Sequence, residues 1–148
     1  MTELFRILAS LSTDLFTGAA IYINFVEHPA RMSCGTDLAV TEFRPSYKRA
    51  TVMQASLAAF GFLNAMAAWF AGASIMWLIG GLLLVSVIPF TLIVTFPTNI
   101  KLLDPSLDKN SDFAHRLLTR WGRLHAVRSI LSLAAFLIFS FSLVGEKR

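Results

Sequence analysis

Apolar residues run through this chain in four long blocks, and polar residues interrupt them mostly at one set of ends. A helix rises 1.5 Å per residue, so about 20 apolar residues cross the hydrocarbon core of a bilayer. The blocks predict spans at 4–26, 50–70, 75–96 and 124–144. None alternates with period two over its length, which favours helices over barrel strands. The first block runs into Glu27-His28-Pro29 and the third into Pro97. Proline lacks the N–H that would continue a helix, so both are expected stops. Pro89 inside the third block predicts a kink. The fourth block ends at Gly145, before Glu146-Lys147-Arg148.

The connections divide into two kinds. Ala71-Gly72-Ala73-Ser74 is short and predicts a tight antiparallel hairpin between the second and third spans. The segments 29–49 and 97–123 read as long polar loops. In the second of these, Ser111 or Asp112 caps a helix start, and Phe113, Leu117, Leu118 and Trp121 follow as an apolar face. That face suits either the membrane interface or an extension of the fourth span. The expected fold is all-α: an integral membrane four-helix bundle, antiparallel and up-down-up-down. It forms one transmembrane domain over 1–148, with both termini on one side.

Composition supports the lipid bilayer as the chain's main partner. Hydrophobic residues make up 55% of the sequence and charged residues 15%, too little polar surface for a soluble domain of this length. The first block lacks a basic leader and carries Asp14, so it is expected to be a retained span rather than a signal peptide. Cys34 is the only cysteine, which rules out an intramolecular disulfide and a Cys-rich metal site. The net charge of +4 does not imply nucleic acid, because basic residues in membrane chains mark the cytoplasmic side. Arg31, Arg44, Lys48, Arg49, Lys101, Lys109, Arg116, Arg120 and Arg123 lie on the loop side, against Arg6, Lys147 and Arg148 on the terminal side. The long loops are therefore expected in the cytoplasm and the termini outside, in an inner or plasma membrane.

This topology brings distant polar residues to one end of the bundle. On the first span, Asp14, Gly18, Ile21, Phe25 and His28 follow 4-3-4-3 spacing and predict an inward stripe. Gln54, Leu57, Gly61 and Asn64 form a comparable stripe on the second, and Trp121, His125, Arg128 and Ser132 on the fourth. The expected chamber is lined by Asp14, His28, Gln54, Asn64, His125 and Arg128, with Phe25 and Trp121 as apolar walls and Glu27 and Asn99 at the same membrane face as further site residues. Each has a plainer reading. Gln54 and Asn64 suit interhelical hydrogen bonds, Asp14 suits a structural pair with Arg128 or with an amide of the second span, and Arg128 could snorkel to lipid phosphates. His28 suits an ordinary interfacial position. Trp69 and Trp77 bracket the hairpin as interfacial belt residues would. His125 is the strongest chemical candidate, because imidazole titrates near neutrality and a cation follows one turn later. His28 and His125 with Glu27 or Asp14 would be the only route to a His/carboxylate metal site, and no His-x-x-His or Glu-x-x-His pair supports it. Bis-His haem has only His28, His115 and His125 to draw on. No metal or other cofactor is expected.

Pro97-Thr98-Asn99-Ile100-Lys101-Leu102-Leu103 is followed by Trp121-Gly122-Arg123-Leu124-His125-Ala126-Val127-Arg128. With the Gly18 region and His28-Pro29, this pattern resembles the anthrone oxygenase-like family of small four-span membrane proteins. The resemblance covers essentially the whole chain, and its specific part is the Asn…Trp-x-x-x-His-x-x-Arg combination. It implies a four-helix membrane bundle and, for some members, oxidation of an anthrone to an anthraquinone without metal or flavin. It transfers to Asn99, Trp121, His125 and Arg128.

Two function classes follow. The first is a membrane oxygenase acting on a lipophilic small molecule, aromatic or quinone-like. His125 is then general base, Arg128 stabilises the anion, Asn99 and Gln54 orient the substrate, and His28 or Glu27 relays protons. The second is a non-catalytic protein that binds a lipid or protein partner, with the polar cluster as an assembly network. A transporter would need a homo-oligomer, since four spans show no internal duplication.

Overall fold

The computed structural model describes residues 1–145. Four long helical rods account for nearly all of them: α1 (Thr2–Ser33), α2 (Thr36–Phe70), α3 (Ile75–Leu103) and α4 (Asp112–Gly145). All four are long and apolar enough to cross a membrane. The chain is an all-α integral membrane protein. The rods alternate in direction and form a square, with α1 and α3 each packed against both α2 and α4, and the diagonal pairs touching little.

The rods are longer than the sequence blocks. The segments expected as polar loops, 29–49 and 97–123, are helical over most of their length. They are amphipathic, not merely polar, which explains the difference. Ala39, Val40 and Phe43 of α2 bury themselves against Leu102 of α3 and Ala114, Leu117, Leu118 and Trp121 of α4. Phe113, expected on that apolar face, points outward instead. Ser111 caps α4 as expected, accepting a hydrogen bond from the Ala114 amide at 3.2 Å.

Pro29 and Pro97 do not stop their helices. Each follows a single π-helical turn, Ile23–Glu27 in α1 and Thr91–Thr95 in α3. In these turns the amides of His28 and Phe96 reach back five residues, to the carbonyls of Ile23 and Thr91. The wider turn lets the helix continue past the proline ring. Around Pro89, α3 also loses regularity at Ser86. The connection from α1 to α2 is only Cys34-Gly35, where Gly35 adopts φ 94°, a conformation that glycine takes without penalty.

Three apolar layers stack along the bundle. At the terminal end are Ala9, Ala65, Ala68, Trp77 and Phe139. The middle layer is Phe16, Ala20, Ala58, Leu84, Val87 and Ala135. The third is the cap of Ile23, Phe43, Leu118 and Trp121 already described. Trp77 is fully buried and stacked on Phe139 at 4.9 Å, so it is core and not a belt residue. The polar cluster sits between the middle layer and the cap.

Candidate functional site

The cluster is built on α1 and α4. His125 is buried, with 1% of its surface exposed. Its Nδ1 lies 2.7 Å from Asn24 Oδ1. The Asn24 amide donates in turn to the Gly122 carbonyl at 3.2 Å. That bond fixes which way the amide faces, so its oxygen meets His125. An amide oxygen only accepts, so the proton sits on Nδ1 and the neutral ring keeps its lone pair on Nε2. No described residue hydrogen-bonds Nε2. Ser129 Oγ adds a third contact, 2.6 Å from Asn24 Oδ1 and 3.1 Å from the Ala20 carbonyl.

Arg128 stands one turn further along α4. Its guanidinium donates to Gln54 Oε1 at 2.6 Å and lies over the Phe16 ring at 5.8 Å. It has no carboxylate within ion-pair distance among the described residues. Two donors of this pair lack a partner among the described residues: Arg128 Nε and Gln54 Nε2, both buried. Gln54 itself is 1% exposed.

Trp121 packs between chemistry and cap. Its ring lies 5.3 Å from the His28 ring, 5.0 Å from His125 and 5.2 Å from Phe43. The Arg31 guanidinium lies over it at 5.7 Å. Arg31 is buried and paired with both Glu27 and Glu42, the latter at 2.7 Å. Ser46 also donates to Glu27, at 2.9 Å. His28 reaches α4 only because position 122 is glycine: a β-carbon there would lie 2.5 Å from His28 Nε2. Asn99 is fully buried and donates to the Tyr47 hydroxyl at 3.2 Å.

These side chains enclose a chamber of about 20 Å³, lined by Glu27, Tyr47, Gln54, Trp121, His125 and Arg128 among others. It holds one water-sized molecule. Thr51, Gln54 and Arg128 also line a second, apolar cleft of about 90 Å³ between α2 and α3.

Of the residues expected in the chamber, Glu27, Gln54, Trp121, His125 and Arg128 line it. His28 touches it through Trp121, and Asn99 through Tyr47. Asp14 and Phe25 are not there. Both face outward, Phe25 with 78% of its surface exposed. The stripe chosen for α1 was one residue out of phase, about 100° around the helix. The inward stripe is Thr13, Thr17, Ala20 and Asn24, and His28 follows four residues on, beyond the π turn that contains Asn24, while Phe25 points out. Asp14 therefore makes no pair with Arg128. Asn64 bonds its own helix, to the Phe60 carbonyl at 2.8 Å, and not a neighbour. Asn24, Tyr47 and Ser129 were missed. The 4-3-4 run of small and polar residues Thr13, Thr17, Ala20 and Asn24 was the available signal. No group of three or more His, Cys, Asp or Glu among the described residues could hold a metal ion.

Neither the curated proteins nor the solved structures compared contain a match to this chain. The family model described as anthrone oxygenase matches residues 43–138, a stretch that includes Tyr47, Gln54, Asn99, Trp121, His125 and Arg128 but leaves Asn24 and His28 outside. With about two thirds of its length matched, the chain belongs to the anthrone oxygenase family.

Proposed function

We propose that this protein is a cofactor-independent oxygenase acting on a lipophilic aromatic molecule with an acidic C–H, and that His125 is its general base. The observation that carries this reading is the oriented imidazole. Asn24 holds the Nδ1 proton, leaving Nε2 free to accept one beside a chamber with room for a single small molecule. The substrate class is the one the family's description names.

In the proposed reaction, Nε2 takes a proton from a methylene group flanked by arenes and conjugated to a carbonyl. The carbanion's charge spreads to that carbonyl oxygen, where Arg128 stabilises it. Dioxygen, the oxidant, adds to the carbon and the peroxide takes a proton. Loss of water then leaves a ketone. One oxygen atom ends in the ketone and the other in water, so each methylene consumes one O₂. The chamber's volume suits dioxygen or water but not a ring system. The substrate's body therefore has to lie outside it. Glu27, on the same chamber and bonded to Ser46 and Arg31, suits proton exchange with the polar end. Gln54 orients the substrate, while Asn99 acts through Tyr47 and His28 through Trp121.

General-base catalysis contributes about 10²- to 10⁴-fold. His125→Ala is expected to lower turnover of an anthrone by that factor while the protein remains folded; unchanged turnover would sink the role. The tightness of the chamber favours a second reading, in which the Asn24–His125–Ser129 network only fastens α1 to α4. On that reading His125→Ala lowers thermal stability and no turnover is found in the wild type.

The same reading puts the site's end of the bundle in the cytoplasm of an inner or plasma membrane, on the strength of the nine basic residues there. Cys34, exposed in the α1–α2 link, offers the test. A membrane-impermeant maleimide should label it in inside-out vesicles and leave it unlabelled in right-side-out cells.

A further inference from the structure

The apolar cleft between α2 and α3 shares a wall with the His125 chamber, formed by Thr51 and the hydrogen-bonded Arg128–Gln54 pair. On its α2 side are Thr51 and Ala55, and on its α3 side Ile88, Thr91 and Leu92. Thr51, Ala55 and Leu92 are exposed on the outer surface of the bundle, in the part of the rods suited to lipid. The opening has a structural cause. Toward the hairpin, α2 and α3 are drawn together by glycines: a β-carbon on Gly61 would lie 2.7 Å from Leu84, and one on Gly81 would lie 2.9 Å from Ala65. Past Ser86, the irregular turns around Pro89 end that close approach.

The polar groups left unmet at the base of the cleft are both donors. Among the described residues, Gln54 Nε2 and Arg128 Nε are buried donors without partners, and no carboxylate pairs with Arg128. Unmet donors at the base of an apolar cleft call for an acceptor, because a buried unpaired donor is costly and a buried unpaired cation more so. Water or a small anion would satisfy the donors but has no use for the apolar walls. We infer that this cleft is a binding site, open sideways to the bilayer, for a flat lipophilic molecule bearing a carboxylate, phenolate or ketone oxygen, which docks on Arg128 and Gln54. With about 90 Å³ of space, the cleft takes the oxygen-bearing head and the edge of a ring. The rest of the molecule lies among acyl chains. The inference rests on the proposed oxygenase reading in one respect: a molecule so docked meets the wall that Arg128, Gln54 and Thr51 form with the His125 chamber, and exchange of the Arg128–Gln54 hydrogen bond for the ligand's oxygen opens that wall.

The test is binding, with no turnover needed. The protein is placed in phosphatidylcholine nanodiscs and titrated with two fluorescent probes, anthracene-9-carboxylate and anthracene. These share one body and differ in the acceptor. The wild type should bind the carboxylate saturably and at least tenfold more tightly than anthracene. Arg128→Gln should weaken the carboxylate by roughly ten- to a hundred-fold, the loss expected for a hydrogen bond to a charged group, and leave anthracene unchanged. Ala55→Trp, on the exposed rim where the fold tolerates bulk, should block both probes. It carries the test by itself if Arg128→Gln does not fold. Equal affinity for the two probes, no binding of either, or undiminished binding in Ala55→Trp overturns the site. His125→Ala separates the two ideas. Probe binding that survives without turnover supports both. Probe binding absent from a wild type that turns over an anthrone overturns the cleft alone. Probe binding in a protein whose turnover does not depend on His125 overturns the base alone.

Discussion

The two halves of the bundle are held together in different ways. Toward the termini the helices meet through glycine and alanine: Gly61 against Leu84, Gly80 against Phe139, Gly81 against Ala65. Polar contacts between helices are peripheral there, with Thr2 donating to the Ala71 carbonyl at the hairpin and Arg6 lying over the Trp77 ring, and Trp77 stacks on Phe139 in an apolar layer. Toward the other end the helices meet through Asn24, His125, Ser129, Gln54 and Arg128, with donors left over. In lipid, burying apolar surface against a neighbouring helix gains no transfer energy, so close packing and hydrogen bonds have to supply the adhesion. The dry half uses the first and the polar half the second. A network with spare donors is a poor way to fasten helices but a good way to receive a ligand. The difference separates the part that holds the bundle from the part that acts.

The largest break in that comparison should come from the dry half. A β-carbon at Gly80 would lie 2.5 Å from the Phe139 ring, and that ring is held between Trp77 and the bundle interior. It has nowhere to go. Gly80→Val is expected to cost about 3 kcal/mol through overpacking, read as a lower unfolding midpoint in detergent. Turnover per folded molecule should not change. A loss of specific turnover greater than the loss of folded protein would mean that the two halves are coupled.

Next in size is Asn24→Leu, in the polar half. It removes the acceptor shared by His125 Nδ1 and Ser129 Oγ and the donor to Gly122. Leaving such groups unpaired costs about 2 kcal/mol. The imidazole also loses what fixes its tautomer, so turnover should fall more than stability does. Combining it with Ser129→Ala should give less than the sum of the two losses, because they share one bond. Additive losses would mean that Asn24 and Ser129 act separately.

A smaller effect is expected at Gly122→Ala. The added carbon would meet His28, but an imidazole at the end of a side chain can swing aside where the Phe139 ring cannot. The cost should be about 1 kcal/mol, with the displacement of His28 visible as a change in Trp121 fluorescence. A cost as large as that of Gly80→Val would place His28 in the rigid framework rather than the working end.

The helix count, the hairpin and half of the polar cluster were legible in the sequence; the burial of Trp77 and the inward face of α1 were not. Long apolar blocks fix the number of helices, and a four-residue link fixes the hairpin, because both follow from length alone. His125, Arg128, Gln54 and Trp121 were legible because topology brings the polar ends of four rods together. Asn24 was hidden by a phase error. Thr13, Thr17, Ala20 and Asn24 and the rejected stripe beginning at Asp14 have the same spacing, and ionisable Asp14 drew the choice. The π turns were hidden too. Pro29 and Pro97 read as helix ends, because nothing local distinguishes a proline that stops a helix from one that a wider turn accommodates. The helical cap was masked by its charged outer face, which lowers the mean hydropathy of segments whose inner faces are apolar.

Asp14 offers the smallest effect and the sharpest test of that correction. It is a carboxylate on the outer face of α1, among Leu11, Leu15 and Tyr22, all exposed and apolar in character. No described residue hydrogen-bonds or pairs with it. If the chamber is where the geometry puts it, Asp14 cannot reach the substrate, His125 or Arg128. Asp14→Asn keeps the shape and removes only the charge, so turnover and probe affinity should both match the wild type, with stability changed by no more than about 0.5 kcal/mol. A severalfold loss of turnover would restore the rejected stripe. It would mean that α1 is rotated about its axis in the working protein, with Asn24 turned away from His125. The two ends of this one helix then have to be measured together, since Asn24→Leu and Asp14→Asn cannot both be severe if α1 has a single inward face.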